Sequence, residues 1–326
     1  MNNFDFVSGD SLPKLKLHYR TIGILQKNAQ GYATNAVLIM HGTGGSGAQF
    51  LNPQFAGELF KTGDILDPAE YFIILPDGIG HGNSSKPSDG LHAKFPQYGY
   101  NDMVLANYRL ITEELQVNHL RLVMGTSMGG MQTWMWGEAY PTFMDALMPL
   151  ASLPVQIAGR NRMTRKMIIE SIKSDPDWCD GNYTQQPRGL TSALYILSFM
   201  SSIPLQWQKE APDRESADAF LDKRIKKALE ATDANDLLYQ ISASFDYDPS
   251  QKLHIIEAPM IAINSADDQV NPPELRILER EIEKVEHGRA ILIPISEATK
   301  GHGTHTWAAL WKHHLKLLLD ESEVEC

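Results

Sequence analysis

The sequence predicts an α/β protein: a mostly parallel sheet flanked by helices, interrupted by a helical insertion. Three observations predict it. Short apolar runs of strand length recur at residues 36–40, 71–75, 120–124, 145–151, 259–264 and 290–295, as expected of strands covered on both faces. From residue 153 to about 250 these runs stop and helical spacing takes over. Finally, residues 120–132, Leu-Arg-Leu-Val-Met-Gly-Thr-Ser-Met-Gly-Gly-Met-Gln, read as strand, sharp turn and helix, with Gly-x-Ser-x-Gly at the turn.

The chain has 326 residues, which fits one α/β domain carrying an insertion as well as two independent domains. The insertion is favoured, giving a core at 1–152, an inserted lid at 153–250 and the rest of the core at 251–326. Hydrophobic content of 43% with 21% charged residues is ordinary for a soluble enzyme, and a formal net charge of −11 argues against a nucleic-acid partner. No apolar run approaches the ~18 residues of a membrane span, and the start shows no cationic then apolar leader. The expectation is a cytoplasmic protein without a membrane partner. Cys179 and Cys326 are too few for a disulfide framework, and neither neighbours a histidine in sequence, so neither is given a catalytic role.

In chain order, residues 15–22 alternate like a half-exposed strand, and 36–40 begin the buried sheet. The latter opens into His41-Gly42-Thr43-Gly44-Gly45-Ser46-Gly47, whose glycines let backbone amides approach a ligand. The loop lacks the Gly-Lys-Ser/Thr ending of a phosphate loop and the spacing of a dinucleotide fingerprint. Residues 71–75 lead into a turn-rich segment at 76–85, at a strand edge of the kind that collects binding residues. His81, between glycines there, reads as solvated and stays outside the catalytic set. A helical pattern at 101–115 precedes the elbow. In the elbow only small residues fit around the strained serine, hence Gly125 and Gly129, and Met128 places its N–H at a helix N-terminus where it can face an oxyanion. Met128, Met131, Gln132 and Met135 share one helical face and read as core packing.

The insertion shows helical segments at 160–173, 190–201, 216–231 and 235–244. Its Trp178, Tyr183 and Trp207 suit either an apolar acyl pocket or the lid's own core. Arg160, Arg162, Arg165 and Lys166 form a basic run, by default a solvated face, from which one arginine could reach a substrate carboxylate. Beyond the 259–264 strand come Asp267 and Asp268, then Pro272-Pro273, which favour the first turn of a helix to about 285. The last strand, 290–295, leads to His302 and His305 and a helix ending near 319.

A serine attacks an ester only if a base takes its proton, and histidine has the pKa for that, with a carboxylate fixing its tautomer. Ser127, then Asp267 or Asp268, then His302 or His305 supply these groups in the order nucleophile, acid, base. A metal site built on His302, His305, His313 and His314 lacks the His-Glu-x-x-His pattern and a nearby cysteine, so no metal is expected, and no cofactor.

The chain resembles the homoserine O-acetyltransferase-like branch of the α/β-hydrolase superfamily over nearly its full length. The likeness rests on Leu17-His18-Tyr19-Arg20-Thr21-Ile22-Gly23, on Gly125-Thr126-Ser127-Met128-Gly129-Gly130-Met131-Gln132, on Asp175-Pro176-Asp177-Trp178 with Gly181 and Tyr183, on Gly189-Leu190 and on Gly301-His302. It implies an α/β-hydrolase fold with an inserted helical lid, Ser127 as nucleophile, Asp268 as acid and His302 as base. It further implies Thr43 as the second oxyanion amide beside Met128, Arg165 as a substrate-binding arginine, and a homodimer through the lid. Departures from the family pattern are Gly303, where the acetyltransferases carry an Asp after the histidine, and the neighbourhood of Leu194 and Ser201, where they carry an Arg and a Tyr. His41-Gly42-Thr43-Gly44 is closer to an esterase oxyanion loop. The expectation is a serine hydrolase cleaving carboxylic esters of small acyl groups through an acyl-serine. The alternatives are a homoserine- or serine-type O-acyltransferase using acyl-CoA, and a non-catalytic binding protein on the same fold.

Overall fold

Runs that are apolar at every position become strands whose two faces are both covered. The computed structural model describes residues 1–323, so Cys326 lies outside the described residues. A separate antiparallel hairpin pairs β1 (Asn2–Asp5) with β2 (Ser11–Lys14). The main sheet has seven strands: β3 (Tyr19–Ile22), β4 (Ala36–Met40), β5 (Phe72–Pro76), β6 (Leu122–Thr126), β7 (Leu147–Leu150), β8 (Met260–Ser265) and β9 (Gly288–Ile293). Their spatial order is β3-β5-β4-β6-β7-β8-β9, with β3 antiparallel and the rest parallel. Every residue of β4, β6, β7 and β8 is buried, while the edge strands β3 and β9 are partly exposed.

Alternation along the strands divides the core between the sheet's faces. From β4, Leu38 and Met40 join Met103, Met131 and Trp134; Val37 and Ile39 join Phe50, Phe55, Trp311 and Leu315 on the other side. Each such side chain contributes about 1.5–3 kcal/mol of transfer free energy.

The helices are α1 (Ala56–Leu59), α2 (Tyr100–Arg109), α3 (Met128–Ala139), α4 (Gly159–Lys173), α5 (Arg188–Met200), α6 (Pro204–Glu210), α7 (Arg214–Ala231), α8 (Ala234–Ser242), α9 (Ile277–Glu281) and α10 (Lys312–Glu321). Helices α4 to α8, between β7 and β8, form a lid with its own core of Ile168, Ile172, Leu190, Leu194, Ile225 and Leu237. Trp178 and Tyr183 pack against that core, their polar tips donating to Asn235 (2.9 Å) and Asp233 (2.7 Å). The lid is stitched to the sheet domain by acidic side chains. Asp236 accepts from the Ser88 N–H and hydroxyl at 2.9 and 2.7 Å, and Asp246 accepts from the N–H groups of Tyr100 and Asn101 at the start of α2.

Several local expectations change. Only Tyr19–Ile22 of residues 15–22 pairs in the sheet, because the backbone before it bonds to the 77–85 loop: the Lys16 and His18 N–H groups donate to Ser85 and Ser84. Helix α3 is buried all round from Met128 to Gly137, not on one face, because it lies against β6, β7 and α2 at once. The helix expected to run from Pro273 to about 285 is broken: after a single turn, Arg276 takes φ 50° and restarts the chain as the short α9. No helix among the described residues is long and apolar enough to cross a membrane.

Candidate active site

Ser127 sits between the end of β6 and the start of α3 with φ 55° and ψ −111°, a conformation that costs about 1–3 kcal/mol. The surrounding backbone holds it there: the Ser127 N–H donates to the Leu150 carbonyl (2.9 Å) and its carbonyl accepts from Met131 (2.9 Å). The elbow's glycines are steric necessities. A Cβ on Gly125 would strike the Gly129 carbonyl, and one on Gly129 would strike the Met40 carbonyl.

The Ser127 Oγ lies 2.8 Å from His302 Nε2, and His302 Nδ1 lies 2.8 Å from Asp268 Oδ2. A carboxylate only accepts, so Nδ1 carries the hydrogen and Nε2 accepts from the Ser127 hydroxyl. Asp268 is fully buried. Burial by itself would raise its carboxyl, but the charge and hydrogen bond of His302 and the N–H groups of Val270 and Asn271 outweigh it and hold it below the usual carboxylate range. Val270 and Asn271 donate to Oδ1 at 2.7 and 3.2 Å, and the Asn271 side chain donates to Oδ2 at 3.2 Å while tied to the Ala151 carbonyl.

The two doublets separate by geometry. Asp267 accepts from the Ser265 hydroxyl at 2.5 Å and takes no part in the serine's hydrogen-bonded chain. His305 stands edge-on to His302, ring centroids 5.6 Å apart, and lines the same cavity without bonding to Ser127 or Asp268. Burial, reinforced by repulsion from His302, pushes its pKa down to about 3, so it stays neutral.

Ser127, His302 and His305 line a cavity of about 580 Å³, together with Thr43 and Arg165. Met128 is the first residue of α3, so its N–H has no acceptor within the helix. Across the serine, Gly42 lies so close that a Cβ there would sit 3.4 Å from the Ser127 Cβ, bringing the Thr43 loop beside the hydroxyl. That loop rests on two buried imidazoles. The His41 Nδ1–H donates to the Gly42 carbonyl (2.8 Å) and its Nε2 accepts from Gly78 (2.9 Å); the His81 Nδ1–H donates to Ile79 (2.8 Å). The rings are 4.9 Å apart. His81 is thus 1% exposed and not solvated as the sequence suggested, because the 77–85 turn folds inward over the loop.

Arg165 departs from the basic run in the same way. Arg160, Arg162 and Lys166 are exposed, whereas Arg165 is buried, donating to Asn161 (3.0 Å), to the Ile241 carbonyl near the end of α8 (3.2 Å) and to the Ser244 hydroxyl (3.3 Å). Among the described residues no carboxylate lies within ion-pairing distance of it. Among the same residues no cluster of three or more His, Cys, Asp or Glu is placed to hold a metal ion. Sequence reasoning missed Asn271 and His41. The spacing Asp268-x-x-Asn271 just after a strand is an Asx-turn signal that points to the first; nothing local points to the second.

A family model describing the alpha/beta hydrolase fold matches residues 35–289. The chain belongs to the α/β-hydrolase family. Within that family it lies in the homoserine O-acetyltransferase-like branch. It is 31% identical over 279 residues to a homoserine O-acetyltransferase of Moorella thermoacetica, covering 75% of this chain and 72% of that protein. Among solved α/β-hydrolases it superposes on the homoserine O-acetyltransferase from Bacillus anthracis with a TM-score of 0.85 at 20% identity, covering 98% of this chain and 96% of the other. The acetylester hydrolase from Corynebacterium glutamicum superposes with a TM-score of 0.83 at 22% identity, covering 98% and 94%. This α/β-hydrolase is thus similar to enzymes named for hydrolysis and to enzymes named for acyl transfer.

Proposed function

We propose that the chain is a serine hydrolase that cleaves carboxylic esters of small acyl groups through an acyl-serine intermediate. The observation that carries this reading is the unbroken chain from Ser127 through His302 to the buried Asp268 at the wall of an open cavity. Ser127 Oγ attacks the ester carbonyl as His302 Nε2 takes its proton, and Asp268 stabilises the imidazolium. The Met128 and Thr43 N–H groups receive the oxyanion. His302 then gives its proton to the departing alcohol, and a water deprotonated by His302 releases the acid. A small acyl group accords with the acetyl group in the names of the relatives.

The second reading, an O-acyltransferase moving an acyl group from CoA to a homoserine- or serine-type alcohol, is favoured by Arg165. A buried guanidinium without a carboxylate partner, facing the catalytic cavity, suits an acceptor carboxylate. Against it stand positions that the structure places in the cavity wall: Leu194 is apolar, and the Ser201 hydroxyl already donates toward the Leu197 and Ser198 carbonyls. Gly303 offers no carboxylate to an acceptor ammonium, and a missing charge-assisted contact costs roughly 1.5–3 kcal/mol. Ethyl acetate hydrolysis, with and without millimolar homoserine, separates the two. The expected result is hydrolysis at an unchanged rate and no O-acetylhomoserine from acetyl-CoA. Saturable O-acetylhomoserine formation overturns the hydrolase reading in favour of the second.

A further inference from the structure

The triad leaves a second ring beside His302 unused. Residues Gly301–Thr306 form a 3₁₀ stretch, in which side chains three apart stand on the same side, so His305 rises next to His302 on the wall of the catalytic cavity. The backbone there is tied down: the Trp311 Nε1–H donates to the His305 carbonyl (3.1 Å), and the Thr304 hydroxyl accepts from the Lys300 N–H (2.8 Å). His305 Nδ1 lies 3.2 Å from the Thr306 hydroxyl oxygen. Its Nε2 has no partner among the described residues and, unlike His81 Nε2, is not sealed inside the protein, while the ring lines the cavity of Ser127 and His302. Burial and repulsion from His302 keep the ring neutral, and a neutral imidazole carries a hydrogen on one nitrogen and a lone pair on the other. With Nδ1–H donated to Thr306, Nε2 is an acceptor that nothing in the protein fills.

An acyl-serine is released by water or by an alcohol, and the two differ in the hydrogens they bring. Either one gives a proton to His302 Nε2 as it attacks the acyl carbon. Water then has a second O–H to place, and an alcohol has none. Resting on the esterase reading above, we propose that His305 Nε2 accepts this second hydrogen, holding the deacylating water beside His302 and making the site select water over alcohols. In that step the water oxygen bonds to the acyl carbon while one of its protons passes to His302 Nε2. The bond from the acyl carbon to Ser127 Oγ then breaks, His302 returns the proton to that oxygen, and the acid departs. An alcohol in the same place leaves His305 Nε2 unpaired in a largely desolvated wall, which is the costly outcome for a buried polar atom. His305 is therefore a water-binding residue of the second half-reaction, while the proton transfers stay with His302.

The partitioning of one acyl-enzyme between water and methanol tests this. With p-nitrophenyl acetate as donor, methanol as added acceptor and Ser127→Ala protein as the blank, the ratio of methyl acetate to acetate is set after acylation. Neither the folded fraction nor the acylation rate moves that ratio, so a merely structural role for His305 leaves it unchanged. His305→Phe keeps a ring and removes the acceptor, and the ratio should rise roughly threefold to tenfold over the parent, with the deacylation rate falling by a similar factor. Thr306→Val removes the hydroxyl that accepts from Nδ1–H and should move the ratio the same way, which decides the matter if circular dichroism shows His305→Phe unfolded. His305→Gln, whose amide oxygen still accepts, should return the ratio toward the parent value. A ratio unmoved in folded His305→Phe, or unmoved in Thr306→Val where His305→Phe does not fold, overturns this inference and leaves the esterase reading standing. A parent protein in which intact mass and product release show no acetylated Ser127 overturns the esterase reading and this inference with it.

Discussion

Ser127 has the only hydroxyl in hydrogen-bond contact with His302 among the described residues, so its loss cannot be compensated by a neighbour. Ser127→Ala should abolish fluorophosphonate labelling and lower ester turnover by ~10⁴-fold or more. Retained labelling would mean another nucleophile. The doublets give a sharper comparison. Asp268→Asn should cost roughly 10³-fold in kcat or more, because the Val270 and Asn271 N–H groups hold the amide oxygen at the Oδ1 position and leave its NH2 to donate to His302 Nδ1, the wrong tautomer for catalysis. Asp267→Asn should cost much less, since it exchanges only a bond with Ser265. His302→Ala should be as damaging as Asp268→Asn, and His305→Ala milder, with circular dichroism checking each fold; equal losses at His305 would give that ring a substrate role. The order serine, acid, histidine was legible in the sequence because it needs only residue types in sequence order. The choice within each doublet came only through the family resemblance, not from residue types, since it depends on which carboxylate the Val270 and Asn271 N–H groups enclose. Burial of His81 was illegible for the same reason: it is set by contacts across the fold.

At the scale of elements, the sharpest demand is the close approach of α3 to β4. A Cβ added at Gly129 would overlap the Met40 carbonyl, so Gly129→Ala must push the N-terminus of α3, and the Met128 N–H with it, away from the sheet. The expected cost is about 1–3 kcal/mol in urea unfolding together with a fall in kcat. Gly57→Ala in α1 is the matched control: its Cβ meets nothing closer than 3.8 Å, and the change should be neutral or stabilising by about 0.5 kcal/mol. A Gly129→Ala protein as stable and active as its parent would show that the elbow tolerates displacement. The central strands were readable because burial on both faces leaves an unbroken apolar run, as in β4 and β6. The β1–β2 hairpin and α6 were not, because their four- and seven-residue spans carry mixed polar and apolar residues without a sustained period.

For the whole molecule, the buried imidazoles link stability to pH. Burial, then repulsion from His41, pushes the His81 pKa down to about 3, and burial also lowers His41. In the unfolded chain a histidine titrates near ~6.5. Between those values the unfolded state binds protons that the native state refuses, so stability falls as pH drops from about 6.5 toward 3 and is recovered above 6.5. The slope is about 1.4 kcal/mol per pH unit for each such histidine, so His81 should remove roughly 2 kcal/mol between pH 7.5 and 5. His305, partly open to the cavity, adds less. Asp268 acts in the same direction at lower pH: its depressed carboxyl contributes stability above its unfolded pKa of about 4, which is lost as pH falls through the native value. Urea unfolding of His81→Asn from pH 7.5 to 5 should therefore show a flatter fall in stability than the parent, whatever the variant's starting stability. An unchanged slope would mean that His81 accepts its proton within the native fold. The two imidazoles lie under the Thr43 loop, so acid unfolding should disorder the loop whose amide is proposed to receive the oxyanion.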